Sequence, residues 1–129
     1  WGLDRALRAA WHRGTLLGGA SAGAICWFRH GLTDSTAGEV RAIACLGFLP
    51  GSCAPHYDSE PERRPAMHRL VGDGSIPAGL ALDDGAALHF VGTQPLRAVS
   101  SRPDARVYRV RRGARGAVET PLATRYLGR

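Results

Sequence analysis

At 129 residues, 44% hydrophobic and 22% charged, the chain is one domain or part of one, long enough to bury a real core. It has no apolar run able to span a bilayer and no basic-then-apolar leader, so neither a membrane helix nor a secretory signal is expected. The net charge of +6 comes from 17 basic residues that are all Arg, densest from Arg97 to Arg115 with only Tyr108 to stack among them, so a solvated β surface is expected and not a nucleic-acid partner.

In chain order, Leu3, Leu7, Ala10 and Trp11 recur at helical spacing, predicting an amphipathic helix over 3–12 that stops at His12-Arg13-Gly14. Thr15-Leu16-Leu17 is short, apolar and β-compatible, and a helix is predicted from Ala22 through Phe28 to about His30-Gly31. Residues 33–38 read as a polar turn holding Asp34. Ala42 to Leu49 is apolar and broken by Gly47, a strand or an irregular buried segment. Ser59-Glu60-Pro61-Glu62 reads as a capping box opening a helix with Ala66, Met67, Leu70 and Val71 on one face. Ala78 to Leu82 and Ala86 to Val91 read as a hairpin turning at Asp83-Asp84-Gly85. Further short strands are predicted at Leu96 to Ser100, Val107 to Arg111 and Val118 to Leu122. The order implies an α/β sheet whose C-terminal side turns antiparallel.

Gly19-Ala20-Ser21-Ala22-Gly23 fits Gly-x-Ser-x-Gly, the pattern of a nucleophile elbow between a strand and a helix. Such a turn strains the backbone, and small neighbours make it tolerable. It would lift the Ser21 hydroxyl out of the sheet and aim the Ala22 N–H at a developing oxyanion. A serine hydroxyl needs a general base, itself oriented by a third group. Of five histidines, His12 and His30 read as helix ends, His68 as the exposed side of a helix, and His89 as mid-strand. His56 alone lies in a loop, between Pro55 and Tyr57. Asp34, Asp58, Asp83 and Asp84 are the candidate acids; Asp84 closes a strand at a turn, where a carboxylate can be held rigidly. Cys26, Cys45 and Cys53 lack CxxC spacing, which suggests reduced thiols in a cytoplasm. No His/Cys/Asp cluster has metal-ligand spacing, so neither metal nor cofactor is expected.

GGASAGAICWF (18–28), LGFLPGSCAPHYDSEPERR (46–64) and GLALDDGAALHF (79–90) together resemble peptidase family S51, the dipeptidase E (aspartyl dipeptidase) and cyanophycinase family. The resemblance implies a flavodoxin-like α/β fold akin to class I glutamine amidotransferases. It also implies serine acyl transfer on short peptides, with Asp-X dipeptides as the substrate class. It makes Ser21 the nucleophile and His56 the base, and puts Asp84 where the family usually has Glu in a Pro-Glu-Gly turn. By the same resemblance Asp34 matches an acidic position the family needs, and Arg63 matches an arginine suited to a substrate carboxylate.

Family members carry an upstream half with parallel strands and a Gly-Gly-Gly-Asn-Thr loop. This chain starts just after the place of that loop. With Trp1 first and Met67 its only methionine, it is expected to be processed, trimmed or read from an incomplete gene. Two other readings stand beside the peptidase: a catalytically incomplete homologue serving as a binding or regulatory module, and an amidotransferase-like domain, disfavoured because that class uses Cys where this chain has Ser21. The expected partner is a small peptide substrate, with no membrane; a homo-oligomer is compatible.

Overall fold

The computed structural model describes residues 1–35 and 38–128. Residues 36 and 37, within the polar turn expected over 33–38, lie outside the described residues. In chain order the elements are α1 (Leu3–His12), α2 (Ala22–Ile25), β1 (Phe28–Thr33), β2 (Arg41–Ala44), β3 (Leu49–Ala54), α3 (Arg63–Gly72), β4 (Gly79–Leu82), β5 (Ala86–Val91), β6 (Gln94–Ser100), β7 (Val107–Gly113), β8 (Gly116–Pro121) and β9 (Thr124–Tyr126). A six-stranded sheet runs β2-β1-β3-β4-β7-β8, and a three-stranded sheet runs β5-β6-β9. β1, β3 and β4 are mutually parallel; β2 pairs antiparallel with β1, β7 with β4, and β8 with β7. The protein is mixed α/β, and its C-terminal side is the antiparallel one.

Successive strand residues face opposite sides of a sheet, and the large sheet is buried on both. Ala54, Ala81 and Val110 join Met67, Leu70 and Val71 of α3 in one core. Their strand-mates Cys53, Leu80 and Val107 join Ile25, Phe28 and Ala98 in the other. One face is therefore closed by α3 and the other by α2 and the small sheet. The carboxyl ends of β3 and β4 open onto the loops that carry His56 and Asp84.

Four expectations are corrected. Thr15-Leu16-Leu17 is not a strand. Strands are held by ladder partners, and among the described residues none pairs with this segment. The helix after Ser21 stops at Ile25, so His30 and Gly31 lie inside β1 and not at a helix end. There β1 is paired on both edges, with β2 and β3, and its apolar Phe28 and Leu32 are buried. Two occupied ladders outweigh the helical reading of this segment.

Ser59 does not cap a helix. α3 starts at Arg63 after Glu62, with no side-chain cap; Ser59 lies too far before that start and faces Asp84 instead. Pro65, not Pro61, lies in the first turn. Finally, β4 and β5 form no hairpin. β4 has both edges occupied by β3 and β7, so Asp83-Asp84-Gly85 passes the chain from the large sheet to the small one. β5 turns back on β6 across Gly92-Thr93, with Gly92 at φ 58°.

Candidate active site

Two residues other than glycine hold a positive φ among the described residues: Ser21 at 53° and His56 at 55°. Left-handed backbone at an L-residue carries strain and persists where surrounding structure over-determines it. At Ser21 the turn is tight enough that the Gly23 N–H bonds the Ala20 carbonyl at 2.8 Å and the Ala24 N–H bonds the Ser21 carbonyl at 2.9 Å. A Cβ on Gly19 would lie 2.3 Å from the Gly23 carbonyl oxygen, so position 19 must be glycine for the turn to close. The elbow conformation thus forms without the preceding strand.

The His56 loop follows β3. Its backbone is held by the Tyr57 N–H on the Leu82 carbonyl at 3.1 Å and by the Glu60 N–H on the His56 carbonyl at 3.0 Å. The ring is presented between two partners. His56 Nε2 lies 2.9 Å from Ser21 Oγ, and Nδ1 lies 2.7 Å from Asp84 Oδ1. The Ser59 hydroxyl, then the His56 ring, hold the Asp84 carboxyl below the usual carboxylate range. A carboxylate only accepts, so Nδ1 carries the ring proton and Nε2 is left to accept from the Ser21 hydroxyl. The Ala22 N–H has no backbone partner among the described residues and stands beside Ser21.

The structure separates the other expected residues from this trio. Arg63 is only 3% exposed. It donates through Nη1 to the Leu32 carbonyl at 2.7 Å, through Nη2 to Asp34 Oδ1 at 3.0 Å, and through Nε to Glu60. Its fork is spent tying β1 to the start of α3, and Asp34 is one of the groups it ties. Asp83, weighed as an acid, is buried. It accepts from the Arg106 N–H at 2.9 Å through Oδ2 while Oδ1 has no hydrogen-bond partner among the described residues, and burial pushes its carboxyl up. His68, expected to be solvated, reaches Glu119 Oε2 at 2.8 Å. Glu119 also accepts from the Tyr57 hydroxyl at 2.6 Å and from Arg64. Burial and that hydrogen bond push the Tyr57 phenol up.

Ser21, His56 and Asp84 open onto a cleft of about 1200 Å³. Its wall is largely apolar, with Trp11, Leu17, Phe48, Leu49, Leu88 and Phe90 prominent, and its basic groups are His12, His56 and His89. Trp11 stacks on Phe48 with ring centroids 5.8 Å apart, which is how α1 reaches the cleft. Among the described residues no three His, Cys, Asp or Glu side chains converge as metal ligands would. The sequence patterns did not point to Ser59, read as a cap, or to Arg102, which reaches the Asp84 loop from the β6–β7 connection. No local spacing signals either contact.

The profile of peptidase family S51 matches residues 1–97. The chain belongs to peptidase family S51. It is 52% identical over 128 residues to an uncharacterized peptidase, YgaJ, of Bacillus subtilis (strain 168), covering 99% of this chain and 55% of that protein. This S51 chain thus spans about half the length of the curated relative it matches. The matched region contains α1 through β5 and holds Ser21, His56 and Asp84 together.

Proposed function

We propose that this S51 chain carries the nucleophile, base and acid of a serine peptidase that works by acyl transfer. The carrying observation is the continuous hydrogen-bonded line from Ser21 Oγ through His56 to Asp84, at 2.9 and 2.7 Å. In this reading His56 Nε2 takes the Ser21 proton as Oγ attacks a peptide carbonyl. The Ala22 N–H donates to the oxyanion, a contact of a kind whose loss costs about 3 kcal/mol. His56 then gives the proton to the leaving amine, and water resolves the acyl-enzyme by the same route. Asp84 keeps Nδ1–H in place and stabilises the imidazolium as it forms.

The substrate proposed is a short peptide, with Asp-X dipeptides as the class the resemblance implies. The parallel run β1-β3-β4, with the candidate residues at its carboxyl end, supports the flavodoxin-like reading of the fold. No helix among the described residues is long and apolar enough to cross a membrane. A cytoplasmic setting is proposed with it. Its support is three free cysteines, one of them, Cys53, buried with its thiol pushed up to about 12 by burial.

The test pairs a fluorophosphonate probe with dipeptide hydrolysis. The probe should modify Ser21, read by peptide mass spectrometry, and Ser21→Ala should lose both the adduct and about a millionfold in turnover, as loss of a triad nucleophile does elsewhere. A tenth of wild-type hydrolysis surviving in Ser21→Ala would overturn the proposal.

A further inference from the structure

Asp84 is only partly enclosed, with 42% of its side chain exposed, yet it must stand at a fixed distance from His56. Its turn is closed by the Ala86 N–H on the Asp83 carbonyl at 3.0 Å, and side chains from elsewhere hold the Asp84 main chain as well. Its peptide N–H donates to Asp58 Oδ1 at 2.8 Å, and its carbonyl accepts from Arg102 Nη1 at 3.0 Å. The same Arg102 nitrogen lies 3.0 Å from Asp58 Oδ2. One ion pair therefore grips both polar groups of the Asp84 main chain. Two carbonyl contacts close the next residue: the Ser101 N–H and Oγ reach the Gly85 carbonyl at 2.9 and 3.2 Å. Gly85 sits at φ 79°, and a Cβ there would lie 2.9 Å from Ser101 Oγ and 3.2 Å from Arg102 Cδ.

We propose that Asp58 and Arg102 are positioning residues that set Asp84 against His56. The inference rests on the serine-peptidase reading above and adds to it a second pair of side chains. The three parts come from separate elements: Asp58 from the loop that also presents His56, Arg102 from the β6–β7 connection, and Asp84 from the β4–β5 passage. Asp58 follows His56 by two residues, so base and acid are referenced to one loop. Neither Asp58 nor Arg102 touches Ser21 or His56 among the described hydrogen bonds, so any effect on chemistry passes through Asp84. A charge-assisted contact is the stronger kind of hydrogen bond, and small displacements of an aligned group are costly: about 1 Å can cost a hundredfold.

The experiment follows the rate of fluorophosphonate labelling at Ser21 in the full chain. Arg102→Ala should slow labelling about tenfold, and Arg102→Lys, which keeps one cationic donor, should recover part of that loss. In an Asp84→Ala background the Arg102→Ala change should leave the remaining rate within about twofold, because the group it positions is gone. Urea midpoints of all variants report folding separately. Equal labelling of wild type and Arg102→Ala would overturn the inference while leaving the proposed function intact. So would the same tenfold loss persisting without Asp84, which would mark Arg102 as a general support of the fold. Failure of the wild-type chain to label at Ser21 would remove the proposed function and this inference with it.

Discussion

At residue scale the elbow depends on the absence of one methyl group. Ser21 occupies φ 53°, ψ −120°, and the chain folds back so closely that Gly19 sits under the Gly23 carbonyl. A Cβ at 2.3 Å from a backbone oxygen cannot be relieved by rotating a side chain, so the turn itself must open. Gly19→Ala is therefore expected to displace Ser21 Oγ from His56 and to slow fluorophosphonate labelling by about a hundredfold. Because residues 18–22 are exposed and add little to the core, the urea midpoint should barely move. Labelling kinetics and a denaturation curve on one sample check both halves. An unchanged rate would mean that the turn tolerates the methyl group.

At element scale the start of α3 shows how a residue suited to one task is used for another. The Arg63 fork reaches a main-chain carbonyl in β1 and two carboxylates. The carboxylates are about half exposed, so their pairing with Arg63 is screened and adds little. The buried Leu32 carbonyl is different, since it would lose its donor away from water. Arg63→Ala is expected to destabilise the chain by about 2 kcal/mol, read as a lower urea midpoint. Selectivity between acidic and neutral dipeptides should stay as in the unsubstituted chain. A selective loss on acidic substrates without loss of stability would return Arg63 to the substrate-binding role that the resemblance implies.

At the scale of the whole molecule the two faces of the large sheet are well covered, but the region before Ser21 is not. α1 contains no buried residue, and it is held chiefly through Trp11 on Phe48 and Arg8 over the same ring at 4.2 Å. Leu16 is 87% exposed and Leu3 66%. Large apolar side chains left in water favour self-association. The 129-residue chain is expected to elute in size exclusion above its 13.7 kDa mass, increasingly so with concentration, and Leu3→Asp/Leu16→Asp should shift it toward monomer. A concentration-independent monomer would contradict this.

The sequence by itself determined the local chemistry. Gly19 to Gly23 spelled out a strained turn around Ser21, and His56 stood out because it lay in a loop after an apolar run while the other histidines fell in regular elements. The short strands from Leu96 onward were legible to within about two residues at each end, although β7 buries Val107 on one face of its sheet and Val110 on the other. Only the tertiary structure decided what pairs with what. Thr15-Leu16-Leu17 has strand composition, but a strand exists only with a ladder partner, and none of the described residues supplies one. Ser59 matched a helix cap by spacing, yet the fold turns its hydroxyl toward Asp84, 25 residues further along the chain, where it favours the ionised carboxyl. Among four candidate acids, spacing could not rank Asp34, Asp58, Asp83 and Asp84. The fold placed Asp34 on Arg63, Asp83 beneath Arg106, Asp58 on the Asp84 main chain, and Asp84 on His56. The reason is physical: a hydrogen bond is short and directional, and the distances that assign one carboxylate to an imidazole exist only after separate loops have been brought together.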